Sequence, residues 1–335
     1  MGISDQTHFG VIGAGGWGTA LAVVANRGGN KVTLWTRNDN VIQVVNDKRV
    51  NEFYLPDVFI DPDITITDQL MAVCHHTNFL ILTVPAQSIR PMCISLSDQL
   101  PSGIPVIIAS KGIERGSLSL MSEVVRGILP ENPVLVLSGP NFAREVAMGL
   151  PAATVIAGQD RTIAEKIIYA LGGKYFRPYY SDDVIGVQIG GAVKNVIAIA
   201  SGIATGKGLG ENARASLITR GLAEMARLVR IKGGKEETLS GLSGIGDLML
   251  TCNSASSRNM ALGLAIGEGK RVADLLPGKT TGLAEGTTTA ESVHQLAHKL
   301  GVSMPICQTV YEILEGLTDV DNAIEALLSR PLSSE

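Results

Sequence analysis

The sequence has few aromatic residues and no excess of positive charge. Phe, Trp and Tyr make up 4% of its 335 residues, and 28 Lys and Arg against 32 Asp and Glu leave a net charge of −4. Proteins that bind nucleic acid usually carry a basic surface, often with aromatic side chains that stack on bases. The composition therefore excludes nucleic acid as the main partner, while a local cationic pocket for a small anion stays compatible with it.

Cysteine pairs, metal-ligand clusters and long apolar runs are also lacking. The four cysteines, at positions 74, 93, 252 and 307, form no Cys-X-X-Cys pair, which favours reduced thiols in a cytoplasmic protein. His294 and His298 are four residues apart, but no Glu follows His294 as a zinc-protease motif requires, so we expect no metal. No run reaches the ~18 consecutive apolar residues of a membrane helix, and we expect no membrane span.

The sequence does contain enough apolar residues, 45% of the total, for two domains of about 100–200 residues each. In the first half, short apolar runs alternate with helix-like segments, which is typical of a doubly wound parallel sheet with helices on both faces. After residue 183 helical spacing takes over. We predict an α/β domain over 1–185 and an all-helical domain over 186–335. The expected strands are His8–Ile12, Lys31–Trp35, Phe79–Val84, Pro105–Ala109, Val134–Leu137 and Ala152–Ala157.

A glycine-rich turn follows the first expected strand. Residues 13–18 read Gly-Ala-Gly-Gly-Trp-Gly and fit G-x-G-x-x-G between a strand and a helix, the context that a dinucleotide-binding motif requires. Gly13 allows the tight turn, Gly15 lets the backbone approach a pyrophosphate, and Gly18 lets the helix pack closely on the strand. An ordinary glycine-rich turn is the alternative.

Two more strand ends carry cations. A strict NAD enzyme usually has Asp or Glu after the second strand to bind the ribose 2′-hydroxyl, whereas this chain has Arg37 there. Arg37 could pair with a 2′-phosphate, which favours NADP(H) over NAD(H), or it could be a solvated surface charge. Lys111 follows a later strand and could reach a substrate oxygen or face solvent. Residues 138–141, Ser-Gly-Pro-Asn, could form a ligand loop or only a strand-to-helix turn.

Lys194 lies in the apolar segment 184–204, in which Ile, Val and Ala recur every three or four residues, as on one buried face of a helix. Gly190 and Gly191 lie beside it at helical spacing and leave room for another group to approach. Desolvation lowers the pKa of a buried lysine and suits it to proton transfer. A lysine that extends its amine to the surface is the alternative.

Two later segments add polar groups. Asp247 ends a glycine-rich run and could fix a lysine ammonium or a substrate hydroxyl, or cap the helix that follows. Ser257, Arg258 and Asn259 precede a helical run and combine a hydroxyl, a cation and free helix N–H groups, which suits a phosphate or carboxylate. An ordinary serine cap with an exposed arginine is the alternative.

In this order, the segments resemble the bacterial-type NAD(P)-dependent sn-glycerol-3-phosphate dehydrogenases. The resemblance runs from about residue 8 to beyond residue 290 and rests on VIGAGGWGTALA, SKGIE, LSGPNFA, GAVKNVIAIASGI, LSGIGDLMLTC, SSRN and LAEGTTT. It implies a Rossmann domain followed by a helical domain like that of 6-phosphogluconate dehydrogenase. It also implies a homodimer that interconverts dihydroxyacetone phosphate and sn-glycerol 3-phosphate for phospholipid synthesis.

The resemblance also implies roles for single residues. Lys194 is similar to the family's proton acceptor, and Lys111 and Asp247 are the other candidate catalytic residues. Gly16 stands where many members have serine, and a glycine there still offers its N–H. The implied substrate contacts are Lys111, Gly139, Asn141, Lys194, Asp247, Ser257, Arg258 and Asn259. The implied cofactor contacts are Gly13, Gly15, Gly16, Trp17, Gly18, Arg37, Lys111, Ala143, Arg258, Leu283 and Glu285, with Tyr54 on the adenosine side.

Two other functions fit parts of this pattern. A hydroxy-acid or keto-acid reductase of the same architecture would not require as many anion donors as residues 257–259 provide. A cofactor-binding sensor without turnover would have no use for a desolvated base such as Lys194. The expected partner is therefore a small phosphorylated substrate.

Overall fold

The computed structural model describes residues 6–276 and 285–331. Its chain divides into two compact units, Met1–Lys111 with Ser119–Val184, and Gly112–Leu118 with Ile185–Glu335. The short segment Gly112–Leu118 groups with the helical unit, which nothing in the sequence indicated. The functional roles expected for 1–185 and 186–335 stay predictions.

The first unit combines strands and short helices. Its strands are β1 (His8–Ile12), β2 (Lys31–Trp35), β3 (Val50–Asn51), β4 (Leu55–Phe59), β5 (Ile64–Thr67), β6 (Phe79–Leu82), β7 (Val106–Ile108), β8 (Val134–Ser138), β9 (Ala152–Ala157) and β10 (Phe176–Ser181). Its helices are α1 (Gly16–Arg27), α2 (Asp39–Lys48), α3 (Leu70–Cys74), α4 (Ile89–Ser97), α5 (Met121–Ile128), α6 (Ala143–Met148) and α7 (Arg161–Leu171).

Within the described residues, eight strands form one sheet in the order β10-β9-β8-β7-β6-β1-β2-β5. β1 pairs in parallel with β2 on one side and with β6 on the other, so the chain reverses its winding at β1. Ligands bind at such a switch point in doubly wound sheets. Central strand residues such as Phe9, Leu34, Ile81 and Ile107 are fully buried, as strands covered on both faces require. The doubly wound Rossmann architecture is confirmed.

The sheet departs from parallel pairing at one place. β9 runs antiparallel to β8, and β10 then runs parallel to β9. Parallel neighbours need a long crossover, usually through a helix that covers the sheet. The link 139–151 contains only the short α6, which packs on α1 and β4, and the chain returns in the opposite direction.

Four strands were not predicted from the sequence. β3 and β4 form a separate two-stranded antiparallel sheet, and β5 and β10 lie at the two edges of the large sheet. Edge strands are only partly covered and lack a continuous apolar run, and β10 even contains Pro178, which edge strands tolerate. Their sequences therefore carry little of the signal that marked the central strands.

The second unit is helical. Its helices are α8 (Val184–Gly206), α9 (Gly210–Ile231), α10 (Asp247–Asn253), α11 (Arg258–Gly267), α12 (Val272–Leu275), α13 (Glu285–Leu300), α14 (Pro305–Leu314) and α15 (Val320–Leu328). α8 is long and apolar enough to cross a membrane by length and composition, yet 94% of that stretch is buried inside the protein. The expectation of one buried face was wrong, because residues 187–204 are buried all round. Other elements pack on every side of this central helix.

Glycines bring α8 and α11 into backbone contact. A Cβ atom added at Gly202 would lie 2.2 Å from the carbonyl oxygen of Met260, and one at Gly263 would lie 2.0 Å from that of Ile199. No side chain fits at such distances, so the contact depends on glycine. The glycines of this contact are Gly202, Gly206, Gly263 and Gly267. They set how closely α11 approaches α8.

Candidate active site

The glycine-rich turn lies between β1 and α1. Gly13 has a φ of +111°, which glycine adopts without strain, and its N–H donates to the carbonyl oxygen of Trp35 at 2.9 Å. A Cβ at Gly18 would lie 1.8 Å from the Gly13 carbonyl oxygen, whereas a Cβ at Gly15 would meet nothing within 4 Å. The turn is therefore tightly packed between Gly13 and Gly18, whereas the space beside Gly15 is empty.

The turn is held from the next strand. Thr83, which follows β6, donates its hydroxyl hydrogen towards the carbonyl oxygens of Ile12 and Gly13, at 2.8 and 2.9 Å. Gly15 is the N-cap of α1 and lacks a side chain that could satisfy the first helical N–H groups. Such N–H groups and the positive end of the helix dipole bind pyrophosphate. The open space at Gly15 and these donors fit a dinucleotide.

Other expected cofactor residues lie at the same turn. A Cβ at Gly16 would lie 3.4 Å from the Tyr54 carbonyl oxygen and 3.7 Å from the Cβ of Ala143, so these three residues are neighbours. Trp17 is half-buried in the first turn of α1. Arg37 is exposed between β2 and α2, at the strand end where a 2′-phosphate would be bound.

Two loops at the carboxyl ends of β7 and β8 come together. The Lys111 ammonium donates to the carbonyl oxygen of Gly139 at 3.3 Å. Asn141 donates its amide hydrogens to the carbonyl oxygens of Pro140 and Ala153, while its Oδ1 is buried without a hydrogen-bond partner. Buried acceptors are rarely left unpaired, and this one is available to a ligand donor.

In the second unit, Lys194 is the centre of a buried polar group. Its Nζ lies 2.5 Å from Asp247 Oδ1 and 2.8 Å from Thr251 Oγ1. The three residues are 8%, 1% and 4% exposed. Thr251 in turn donates to the Asp247 carbonyl oxygen at 2.6 Å. A buried carboxylate stabilises the protonated lysine that it pairs with, so the group holds an ammonium at a fixed position.

The structure decides between the alternatives for these residues. Lys194 does not extend to the surface, the Asp247 carboxylate binds Lys194, and the N-cap residue of the helix that follows is Gly246. The space expected beside Lys194 is filled by protein at Gly190, where a Cβ would lie 2.4 Å from the Ser243 carbonyl oxygen. This close contact brings the turn that ends at Asp247 against α8.

The start of α11 carries the expected anion donors. Ser257 is the N-cap, and its hydroxyl accepts from the N–H of Met260 at 3.2 Å, so the ordinary serine cap is present. A cap and an anion site are compatible, because other N–H groups of the first turn have no partner within the helix. Arg258 is the first residue of α11 and is exposed.

Asn259 joins this helix start to α8. Its Nδ2 donates to Asn195 Oδ1 at 3.0 Å, and its Oδ1 accepts from the N–H of Gly286 at 3.0 Å. Asn195 and Asn259 are both buried. Since Asn195 follows Lys194 directly, the ammonium and the anion donors belong to one region of this unit.

One expected cofactor residue precedes Gly286, whose N–H donates to Asn259, another lies outside the described residues, and one polar neighbour was not predicted. Glu285 is the exposed first residue of α13, and Leu283 lies outside the described residues. Thr251 was not singled out from the sequence, although it follows Asp247 by one helical turn, the spacing at which two side chains share a face. The described residues contain no group of His, Cys, Asp and Glu that could hold a metal ion.

Cys252 is a neighbour of the lysine group without thiolate character. It is fully buried, and burial raises the pKa of its thiol to about 12. A thiol with such a pKa stays protonated and is a poor nucleophile. Cys252 is therefore not a candidate nucleophile.

Comparison with known proteins assigns the family. Residues 8–164 match the N-terminal model of NAD-dependent glycerol-3-phosphate dehydrogenase, and residues 183–325 match the C-terminal model. The chain belongs to this family. A glycerol-3-phosphate dehydrogenase [NAD(P)+] of Rhodospirillum rubrum is 49% identical over 328 residues, 98% of this chain and 94% of that protein. One of Maricaulis maris is 46% identical over 335 residues and 99% of both chains.

Solved structures agree. The crystal structure of glycerol-3-phosphate dehydrogenase from Coxiella burnetii has a TM-score of 0.92 and 39% identity, and the match covers 97% of this chain and 99% of that one. The yeast glycerol-3-phosphate dehydrogenase structure has a TM-score of 0.82 and 26% identity over 96% of this chain and 99% of that one. The dehydrogenase family and its fold, which the sequence motifs indicated, are confirmed.

Proposed function

We propose that this chain is an oxidoreductase that reduces dihydroxyacetone phosphate to sn-glycerol 3-phosphate with NAD(P)H and catalyses the reverse reaction. The observation that carries the proposal is the buried ammonium of Lys194, held by Asp247 and Thr251 beside the anion donors of α11. Curated relatives that carry the name of this activity match this chain over nearly their whole length, and they support the proposal.

Lys194 acts as the proton donor in the direction of reduction. Its ammonium gives one proton to the ketone oxygen at C2, and in the reverse direction the neutral amine takes that proton back from the hydroxyl. Asp247 and Thr251 hold the amine in place through both directions. When bound, the nicotinamide supplies the hydride that C2 receives.

The start of α11 binds the phosphate of the substrate. The first-turn N–H groups and the helix dipole favour an anion there, and the Arg258 guanidinium adds a forked, permanently charged donor. Asn259 presents an amide at the same helix start. For the first unit, we assign substrate contacts to Lys111, Gly139 and Asn141, whose unpaired Oδ1 suits a substrate hydroxyl.

The first unit binds the dinucleotide. The turn of residues 13–18 holds the pyrophosphate, with Gly16 and Ala143 beside it. The exposed Arg37 pairs with a 2′-phosphate, so NADP(H) is the favoured coenzyme and NAD(H) the alternative. Arg258, Leu283 and Glu285 complete the cofactor contacts on the resemblance alone. The family resemblance alone also leads us to propose a homodimer, a cytoplasmic location and a role in supplying phospholipid precursors.

The test is a spectrophotometric assay of NAD(P)H oxidation by the purified chain. Dihydroxyacetone phosphate is compared with dihydroxyacetone, which lacks the phosphate, and with a 2-keto acid, each with NADPH and with NADH. We expect turnover with the phosphorylated ketone and a kcat/KM for dihydroxyacetone lower by about 10³-fold, as the loss of a bound dianion implies. Faster turnover of the keto acid would favour a hydroxy-acid dehydrogenase of the same architecture.

A further inference from the structure

Asn51 is a fully buried polar residue of the first unit that neither a motif nor the resemblance assigns. It ends β3, and its Nδ2 donates to the carbonyl oxygen of Ala14 and to the hydroxyl of Thr19, both at 2.9 Å. Ala14 lies within the glycine-rich turn and Thr19 in the first turns of α1. One amide group thus bridges the turn and the helix that the turn opens.

The orientation of this amide is fixed by its partner. The Ala14 carbonyl can only accept a hydrogen bond, so the NH₂ group and not the oxygen of Asn51 must face it. The Oδ1 of Asn51 is consequently buried without a partner. Buried acceptors are nearly always hydrogen-bonded, so an unpaired one needs a physical reason. The reason that we infer is that the NH₂ group must donate its hydrogen bonds to the turn and to α1.

Holding the Ala14 carbonyl sets the direction of the next N–H group. In a trans peptide the C=O and N–H bonds point to opposite sides, so the N–H of Gly15 points away from Asn51. Nothing in the described part of the chain pairs with that N–H, and the space at Gly15 is open. The donor is thereby turned to the side where an anionic ligand can bind.

Asn51 also anchors the segment that follows it. Its carbonyl oxygen accepts from the N–H of Tyr54 at 3.1 Å, and the carbonyl oxygen of Tyr54 lies 3.4 Å from the Cβ position of Gly16. The turn of residues 51–54 therefore rests on the glycine-rich turn. Asn51 therefore joins the two turns through both its side chain, which binds Ala14, and its backbone carbonyl, which binds Tyr54.

We propose that Asn51 is a positioning residue for dinucleotide binding, which orients the Ala14–Gly15 peptide so that its N–H meets the pyrophosphate. The proposal rests on the proposed function only in taking a pyrophosphate dinucleotide as the ligand. It assigns no catalytic step to Asn51.

The experiment compares Asn51→Leu and Asn51→Asp with Asn30→Leu and Asn30→Asp. Asn30 is a matched control, since it is also buried and its Nδ2 also donates two hydrogen bonds, to the carbonyl oxygens of Ala25 and Ala170 at 2.8 Å, at the other end of α1. The dissociation constants of NADPH and of ADP-ribose are measured by quenching of the fluorescence of Trp17 and Trp35. Thermal unfolding is followed by circular dichroism.

We expect both Asn51 variants to bind NADPH and ADP-ribose about tenfold or more weakly, by a similar factor for each ligand because both contain the pyrophosphate. The kcat at saturating NADPH and the KM for dihydroxyacetone phosphate should change little. The Asn30 variants should melt at a lower temperature and bind both ligands as the unchanged protein does.

Equal weakening in the Asn30 and Asn51 variants, or unchanged binding in a folded Asn51 variant, would overturn the proposal. So would failure of both Asn51 variants to fold while both Asn30 variants fold, because the residue would then serve the fold itself. Failure of the proposed function shows separately, as NADPH binding without turnover of dihydroxyacetone phosphate, since the binding measurement needs no substrate.

Discussion

The two units present their functional groups in different ways. In the first, the proposed donors for the ligand are backbone N–H groups of the turn at residues 13–18, and side chains such as Thr83 support the turn through hydrogen bonds to its carbonyl oxygens. In the second, the proposed reactive group is a side chain, Lys194, buried with its partner Asp247. A backbone site needs the right peptide geometry, whereas a side-chain site needs a partner that offsets the cost of burying charge.

Glycine serves both units for opposite reasons. At Gly15 the missing side chain leaves space for a ligand, and at Gly202 and Gly263 it lets two helices touch. We expect the first role to affect affinity for the cofactor and not the stability of the fold. The second concerns the fold and, through Asn195 and Asn259, the shape of the proposed substrate region. The difference implies that substitutions in the two units should separate binding from stability.

The largest effect is expected at the side-chain site. Lys194→Met should lower kcat by about 10³-fold, because it removes the proton donor, while the dissociation constant of NADPH stays unchanged. The measurement is steady-state kinetics beside fluorescence titration. Lys207→Met is the control, since Lys207 forms an equally short pair with Asp321 at the surface and should leave kcat unaffected. A kcat near that of the unchanged protein would remove Lys194 from the mechanism.

Exchange of glycine for alanine tests the two roles of glycine directly. Gly263→Ala should lower the free energy of unfolding by about 3 kcal/mol, because the new methyl group meets the Ile199 carbonyl. Gly15→Ala should leave that free energy within about 0.5 kcal/mol, because its backbone is extended, with φ −71° and ψ 179°. It should instead raise the dissociation constant of NADPH.

For both variants, denaturant unfolding measures the free energy of unfolding and cofactor titration measures the dissociation constant of NADPH. A stable Gly263→Ala protein, or a Gly15→Ala protein that unfolds easily and binds NADPH normally, would contradict the distinction between the two units.

Arg37 is the proposed side-chain contribution to the dinucleotide site at the glycine-rich turn. Arg37→Asp should weaken NADPH binding by about tenfold, the equivalent of one lost ion pair with the 2′-phosphate, and change NADH binding little. The ratio of kcat/KM for the two coenzymes measures this, and NADH is the control within each variant. An unchanged ratio would show that Arg37 is a surface charge only.

The smallest effect concerns a second buried charge of the helical unit. Glu224 on α9 is 1% exposed, and its carboxylate accepts from the N–H groups of Ile306 and Cys307 at the start of α14. Burial raises the pKa of Glu224 above its ordinary value near 4.5 in spite of these bonds. Between the ordinary and the raised pKa, the folded protein therefore binds more protons than the unfolded chain, and stability falls as the pH rises.

Glu224→Gln removes this titration. We expect the free energy of unfolding of the unchanged protein, minus that of the variant, to decrease as the pH rises through the window above 4.5, at about 1.4 kcal/mol for each unit between the two pKa values. Denaturant unfolding at several pH values measures it. A difference that does not vary with pH would mean that the two N–H groups compensate fully for burial.

Local pattern was sufficient for much of the fold and for naming candidate residues, whose roles stay predictions. The central strands and α8 are continuous apolar segments, and the spacing of Gly13, Gly15 and Gly18 between a strand and a helix depends only on neighbouring residues. The order of motifs indicated the family, which the comparisons confirmed. The edge strands β5 and β10 were not predicted, because partly buried strands lack a continuous run of apolar residues.

What the sequence by itself determined was the family, the central strands and the helical character of the second half, because periodicity and motif spacing are properties of neighbours along the chain. The tertiary structure decided which distant groups meet: Asp247 and Thr251 with Lys194, Asn259 with Asn195, and Asn51 with Ala14. It also decided the antiparallel pairing of β8 with β9. Such contacts depend on how helices and strands pack, which local patterns constrain but do not specify.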